Sequence, residues 1–317
     1  MQLEPLDLSI VIVNYNAKNY LRNCLLSILS IPRNFTYEII VVDNKSLDGG
    51  VEMIKDEFSD IRLIENQSNK GFSAANNQGA RVSRGKNILL LNNDTIIPSG
   101  SLETMISIMD KNPGVGLLGC RLKNGDGTLQ QSFGKSINFF YDFFRKYITN
   151  LYWKRKNHLI GKYLIWRHDK SKEVAWVKGA CMLVRRQALF DVDLMDENFF
   201  VFFEEVDLSL RIRQLGWKIL YTPSAEIIHF GGVSTSTLQF RSLIEYRKSQ
   251  LYFYKKHYGK TGETLIRLYF YAKIFKTSLL YEIKKRFTNG SSEELEFYRN
   301  YRREILDILN PLPASPG

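Results

Sequence analysis

Between Leu89 and Gly100 the chain reads LLLNNDTIIPSG, three leucines followed by Asn92, Asn93 and Asp94, then a proline and a glycine. An apolar run of this kind suits a buried strand, and a carboxylate with two carboxamides at its end is a compact set of groups for holding a polar ligand. Asn and Asp also close strands in ordinary turns, so the chemistry depends on what ends the neighbouring strands. Two such ends are Asn14-Tyr15-Asn16, after LSIVIVN, and Asp43-Asn44-Lys45-Ser46, after YEIIVVD. A second acidic group, Glu204, Glu205 and Asp207, follows the aromatic run Phe199 to Phe203. A carboxylate beside an apolar wall keeps its proton longer and makes a better base. Acids in a first helical turn are equally what the helix dipole favours.

The elements that must position these groups follow from the hydrophobic pattern. LSIVIVN (8–14) and YEIIVVD (37–43) are continuous β-branched runs, as in parallel strands buried on both faces. Between them Leu21, Cys24, Leu25, Ile28 and Leu29 recur at helical spacing, with Pro32 ending the helix. The rhythm continues with a strand at 61–65, a helix from Ser73 to about Arg84, the strand NILLLN, a helix from Leu102 to about Lys111, and VGLLGC. Strand–helix alternation predicts right-handed crossovers and a doubly wound, mostly parallel sheet with helices on both faces. Such sheets bind ligands at the carboxyl ends of their strands, where the three polar clusters lie.

The later half is less regular. EVAWVKGACMLVRRQALF predicts two short strands about Lys178-Gly179 and a short helix. Residues 205–215 predict a helix capped by Gly216, and two short strands then end at His229. From Arg241 to Phe287 the pattern is helical, basic and aromatic, and the tail NPLPASPG reads as disordered. The expected organisation is a catalytic domain over 1–235, with halves 1–120 and 121–235, a helical extension over 236–305, and a tail over 306–317.

Composition bounds the remaining choices. The chain has 317 residues, 44% of them apolar, enough for a substantial core. Cys24, Cys120 and Cys181 are scattered in apolar surroundings and read as reduced core residues, not as a disulfide framework or zinc site. The net charge of +11 is uneven: residues 135–170 carry +7 and residues 241–290 carry +9, leaving −5 for the rest. Basic residues interleaved with Phe, Tyr and Trp suit an anionic bilayer interface. Packing on the body or on a second subunit is the other reading. No nucleic-acid recognition motif accompanies these stretches. The N-terminus lacks the basic region of a signal peptide and no window is long and apolar enough to span a bilayer, so the expected location is the cytoplasm, peripheral on the inner membrane face.

The motifs SIVIVNYN, IIVVDNKSLDGG, NKGFSAANNQG, LLLNNDT, VKGACMLVRR, FFEEVDLSLRIRQLGW and IIHFGG occur in the order and spacing of the inverting family 2 glycosyltransferases of GT-A fold. Within that family the chain resembles the rhamnosyltransferase-type enzymes of bacterial surface polysaccharide assembly, over residues 8 to 235. The resemblance implies a nucleotide sugar donor, dTDP- or UDP-linked, and a glycan or polyprenyl-diphosphate-linked acceptor. A site for this chemistry must hold the nucleotide, offset charge on the leaving diphosphate and deprotonate an acceptor hydroxyl.

The resemblance places the nucleobase near Asp43, which can accept from a pyrimidine N–H, with Asn14 and Asn16 lining the adjoining turn and Asn44, Asn92 and Asn93 nearby. Asp48 is either part of this region or a loop cap. Gly71 sets a tight turn before the helix that carries Asn76, whose free N–H groups favour anions. Asp94 matches the last acid of the family's DXD motif, which binds Mn²⁺ or Mg²⁺, and Asn92 stands where the first acid would be. His229 occupies a position where many members carry a metal-binding histidine. Glu205 matches the catalytic base, usually an Asp, with Glu204 its rival and Asp207 orienting neighbours or the acceptor. Trp176, Gly179 and Ala180 suit a sugar or acceptor pocket, or equally a core Trp beside a hairpin. Arg241 and Arg247 read as diphosphate contacts or as solvated helix charge.

Two other enzyme classes are excluded: a dinucleotide dehydrogenase and a sugar-nucleotide pyrophosphorylase both need a Gly-rich loop after the first strand, and Asn14-Tyr15-Asn16-Ala17 has no glycine. A catalytically silent, membrane-docked scaffold that binds nucleotide sugar stays open, because the DXD and ED motifs are altered.

Overall fold

The computed structural model describes residues 6–31, 34–135, 158–231, 239–287 and 292–310. Most of the basic–aromatic stretch at 135–170 (residues 136–157) lies outside them, as do 311–317 of the tail. The chain divides into two compact units, one of residues 1–197 with 204–234, the other of 198–203 with 235–317.

The first unit is built on one large sheet. Strands β1 (Leu6–Asn14), β2 (Tyr37–Asp43), β3 (Arg62–Glu65) and β4 (Gly85–Asn92) are mutually parallel in the order β3-β2-β1-β4. Their side chains divide by alternation. Leu8, Ile10 and Ile12 face one layer, with Leu21, Leu25 and Ile28 of helix α1 (Lys18–Leu29), Met53 of α2 (Gly50–Glu57) and Met105 of α4 (Ser101–Lys111). Val11, Ile40 and Leu90 face the other, with Ala75 and Ala80 of α3 (Phe72–Val82). There Gly79 lets α3 lie directly on β1, since a Cβ at this position would sit 2.3 Å from Val11 Cγ1. All three cysteines are buried and free, and burial pushes the Cys24 thiol up to about 12, which keeps that thiol protonated.

Beyond β4 the sheet departs from the purely parallel expectation. The order continues β4-β11-β6-β12-β5, with β11 (Cys181–Arg185) antiparallel to both β4 and β6 (Val115–Lys123). Strand β12 (Lys218–His229) is parallel to β6, and β5 (Thr95–Ile96) pairs antiparallel with its end. The two strands expected before His229 are one, broken in register between Thr222 and Glu226. Pro223 falls in that interval and lacks the N–H a ladder needs.

Nor do the strands about Lys178-Gly179 form a hairpin. β10 (Trp176–Val177) pairs with β8 (Phe133–Gly134) in a separate two-stranded sheet, whereas β11 enters the main sheet. The short strands β7 (Leu129–Gln130) and β9 (Lys172–Glu173) pair with β6 and β12. Helices α5 (His158–His168), α6 (Arg186–Asp191) and α7 (Glu204–Gln214) complete the unit, with Leu208 and Ile212 of α7 in the second core layer and Gly216 at φ 87 ending the helix as expected.

The second unit is a helical pair with an aromatic interior. α8 (Gln239–Phe287) is interrupted at Gly259, whose φ of 59 and ψ of −150 are non-helical, and α9 (Ser292–Leu309) runs beyond the residue 305 boundary expected from sequence. Phe199, Phe202 and Phe203 belong here, ring against ring with Tyr252, Tyr246 and Phe253. Arg247 is not solvated. It is buried over the Tyr246, Tyr269 and Phe270 rings and donates to Gln250 Oε1, whereas Arg241 is exposed.

Candidate active site

The carboxyl ends of β1, β2 and β4 are tied together by their own side chains. Asn14 Nδ2 donates to Asp43 Oδ2 at 2.9 Å and to Ser46 Oγ at 3.1 Å, and Asn93 Nδ2 donates to Asn14 Oδ1 at 2.9 Å. Ser46 N donates to the other Asp43 oxygen at 2.8 Å, Asn16 N donates to Ser46 Oγ, and Asn16 Oδ1 accepts from Leu47 N. Both oxygens of Asp43 are thus engaged and its side chain is buried. Asp43 holds this corner together, and each of its oxygens keeps a further lone pair for the N–H expected from sequence. Asp48 caps backbone, accepting from Lys18 N and Gly50 N.

Asn44 continues the edge toward α3. Its Nδ2 donates to Gly71 O at 3.1 Å, and its Oδ1 accepts from Asn66 Nδ2 at 2.9 Å. Gly71 has φ 84 and ψ 176, a conformation open to glycine alone, and α3 begins at the next residue. In the first turns of that helix Asn76 Nδ2 donates to Phe72 O, while Asn76 Oδ1 and Ser73 Oγ are buried without a hydrogen-bond partner among the described residues. Buried polar atoms of this kind cost stability unless something satisfies them. They lie at a helix N-terminus that favours an anion.

At the end of β4 the chain meets β12. Asp94 Oδ1 lies 3.3 Å from His229 Nε2, and Asn92 Nδ2 lies 3.2 Å from the same nitrogen. The other ring nitrogen, Nδ1, is 2.7 Å from Gln130 Oε1. Gln130 Nε2 donates to Asn124 Oδ1, which fixes the amide so that its oxygen faces the ring. Nδ1 therefore carries a proton and donates it to Gln130, leaving a lone pair on Nε2. That lone pair accepts from Asn92 Nδ2, and the Asp94 carboxylate oxygen stands 3.3 Å from the same nitrogen, so two electron-rich atoms converge on one point. A divalent cation fits this place: it takes hard oxygen and imidazole ligands, and the Gln130 contact is the outer support that ligating histidines need. Among the described residues no group of three or more His, Cys, Asp or Glu side chains stands close enough to hold a metal ion.

The acidic group joins this edge through the segment entering β11. Asn92 N donates to Ala180 O at 3.0 Å. The adjacent Gly179 abuts α7, where a Cβ on it would lie 3.6 Å from Glu205 Cβ and 3.8 Å from Glu204 Oε1. Asp43, Asp94, His229 and the Glu204–Glu205 pair are therefore linked through successive contacts along one rim. Glu204 is buried, and its Oε2 has no hydrogen-bond partner among the described residues. Burial, then the neighbouring Glu205 and Asp207 charges, push its pKa well above the usual carboxylate range.

Two expected contributors are spent on structure. Asp207 is fully buried and accepts from Arg211 Nε at 2.7 Å, while Arg211 donates to the carbonyls of Val192 and Leu194. Through Arg211 it ties α7 to the segment at 192–194. Trp176 is 8% exposed, and its indole covers Gly134, where a Cβ would stand 2.2 Å from Nε1. That is the core position and not an open sugar platform. Gln130 and Ser46 were not singled out in the sequence, because a Gln on a two-residue strand and a Ser in a turn carry no local signal.

Comparison with known proteins gives the family and the fold. Residues 9–175 match the family model described as glycosyl transferase family 2. The chain is 27% identical over 258 residues to N-acetylglucosaminyl-diphospho-decaprenol L-rhamnosyltransferase of Mycobacterium tuberculosis, covering 78% of this chain and 83% of that one. It is 25% identical over 229 residues to the O-antigen biosynthesis protein RfbC of Myxococcus xanthus, covering 71% of this chain and 17% of that one. Two solved structures share the fold. One is GalNAc-T7 with UDP, GalNAc and Mn²⁺, at TM-score 0.56 and 17% identity, covering 99% of this chain and 59% of that one. The other is the mannosyltransferase PcManGT of Pyrobaculum calidifontis with GDP-Man and Mn²⁺, at TM-score 0.55 and 14% identity, covering 97% and 88%. The chain belongs to glycosyl transferase family 2. Its architecture is the GT-A type with a C-terminal helical region.

Proposed function

We propose that this glycosyltransferase moves a sugar, rhamnose being the first candidate, from a dTDP- or UDP-linked donor to a hydroxyl of a lipid-linked or polysaccharide acceptor, with inversion. The M. tuberculosis relative, named for rhamnosyl transfer onto a decaprenol-linked acceptor, supports sugar and acceptor class. The observation that carries the reading is the Asp94–His229 contact with the His229 tautomer fixed by Gln130. Asp94 and His229 would hold Mn²⁺ or Mg²⁺, which supplies positive charge for the departing diphosphate. Asn14, Asn44 and Asn93 shape the nucleotide end with Asp43. Ser73 Oγ and the N–H groups of the α3 N-terminus receive phosphate oxygens, and Asn76 Oδ1 accepts from a ligand hydroxyl. Glu205 removes the acceptor proton as the acceptor oxygen bonds to the anomeric carbon and the bond to the diphosphate oxygen breaks. Glu204 keeps its own proton beside it, and Gly179 leaves room for the acceptor to approach.

The test is thermal shift against dTDP- and UDP-sugars with and without Mn²⁺, followed by release of nucleoside diphosphate. A ligand at about 100 times its Kd should stabilise the fold by about 2.7 kcal/mol. One nucleotide class should do so, more strongly with metal, and should be turned over. No shift with any nucleotide would refute the nucleotide site. The amide at Asn92 in place of an acid favours a second reading, a nucleotide-sugar-binding scaffold, which a shift without any product release would establish.

A further inference from the structure

The half of α8 beyond Gly259 has two apolar faces, and among the described residues only one is packed. Ile266, Phe270 and Ile274 are buried, as are Tyr301, Ile305 and Leu309 of α9, and Arg267 donates to the Leu309 carbonyl to fasten the pair. A second set, Leu265, Leu268, Tyr271, Phe275, Leu279 and Ile283, recurs every three or four residues and is exposed, Leu268 at 60% and Phe275 at 72%. At 1.5 Å per residue this stripe runs about 27 Å along the helix. Single exposed apolar residues are ordinary, but a continuous stripe marks a surface that something covers.

Charge identifies the occupant. Residues 255–287 hold nine Lys and Arg against two Glu. Lys255, Lys256, Lys260, Lys276 and Lys285 are exposed, and Glu263 is occupied by Arg267. A second copy of the chain would bring the same positive helix against itself, and like charges oppose such self-complementary pairing. An anionic lipid surface receives the stripe into its acyl boundary while its headgroups meet the lysines. No helix among the described residues is long and apolar enough to cross a membrane, so the contact is with the surface.

We infer that the face of α8 carrying Leu268, Phe275 and Leu279 docks the enzyme on an anionic bilayer. The inference stands apart from the reading of the transfer reaction. It is tested with the full chain and two vesicle preparations, phosphatidylcholine alone and phosphatidylcholine with phosphatidylglycerol, by co-sedimentation over a salt series. The wild type should bind the anionic vesicles, lose that binding as salt rises, and ignore the neutral ones. Phe275→Glu and Leu268→Glu should each weaken binding at least about tenfold, from lost apolar insertion and added repulsion. The milder Phe275→Ser and Leu268→Ser, checked for unchanged Tm, should weaken it in the same direction. Equal binding to neutral vesicles, no binding to anionic ones at low salt, or stripe variants that bind like the wild type would overturn the inference. So would a dimer in vesicle-free solution that the stripe variants dissociate without affecting sedimentation.

Discussion

Replacing Glu205 by Gln removes a proton acceptor while keeping the side chain's length and shape. The consequence follows from what surrounds it. Glu204, buried and with an oxygen lacking a hydrogen-bond partner among the described residues, has its pKa raised well above the carboxylate range by burial and by the Glu205 charge. Glu204 therefore holds its proton more tightly than an ordinary carboxylate, and Glu205 is the better placed to accept one, since a Cβ on Gly179 would stand 3.6 Å from Glu205 Cβ and the glycine leaves that approach clear. General base catalysis contributes about 10²- to 10⁴-fold, or about 3 to 5 kcal/mol of the barrier. Glu205→Gln should lower kcat by that factor in a coupled nucleoside diphosphate release assay. The nucleotide-induced rise in Tm should stay unchanged, because Asn14 and Asn44 keep their hydrogen bonds to Asp43 and Gly71, none of which involves Glu205. A Glu205→Gln enzyme within about threefold of wild type in kcat would refute the base assignment. So would a collapse in Glu204→Gln with Glu205→Gln intact, which would hand the role to Glu204.

Three further outcomes follow. Glu204→Gln removes a carboxylate whose folded-state pKa is raised, a group whose stabilising share is complete below its unfolded pKa and is lost as pH rises through the folded one. The variant should therefore gain Tm over wild type at neutral pH, and the gap should close below about pH 4, near the unperturbed carboxylate value. Burial holds the His168 imidazole down at about 4 against an ordinary 6.5, with Nδ1 donating to Leu164 O and Nε2 accepting from Ser132 N. Stability should fall as pH drops from 6.5 to about 4, by about 3 kcal/mol in all, and a His168→Gln scan of Tm against pH should be flatter there. Gln130→Leu removes the acceptor that fixes the His229 tautomer, and the Mn²⁺ concentration needed for half-maximal nucleotide binding should rise about 10- to 100-fold with the fold intact.

The frame of the candidate site was legible in the sequence, and the reason is local. Continuous apolar runs declare parallel strands, so the ends at Asn14, Asp43 and Asn92 could be read without coordinates, and motif spacing aligned them with Asp94, Glu205 and His229. What could not be read was which polar atoms consume one another. Asp43 looks free in a sequence and is held by Asn14 and Ser46 in the fold. Asp207 and Arg211 pair four residues apart on one helix, yet nothing in the chain says that Arg211 also grips Val192 and Leu194. The antiparallel entry of β11 was hidden because a five-residue apolar strand has no direction until its neighbours are known. Trp176 illustrates the same limit, since a core indole and a sugar platform are spelled alike.

The placement of β11 between β4 and β6 bears on any attempt to divide the first unit. A fragment ending near residue 120 would contain every nucleotide-side asparagine, yet β4 and β6 would face each other across a missing strand, each with a bare hydrogen-bonding edge. Such edges recruit other chains. The fragment should therefore precipitate or pair with itself instead of surviving as an independent nucleotide binder. Strand β11 is thus part of the frame that holds the candidate site together.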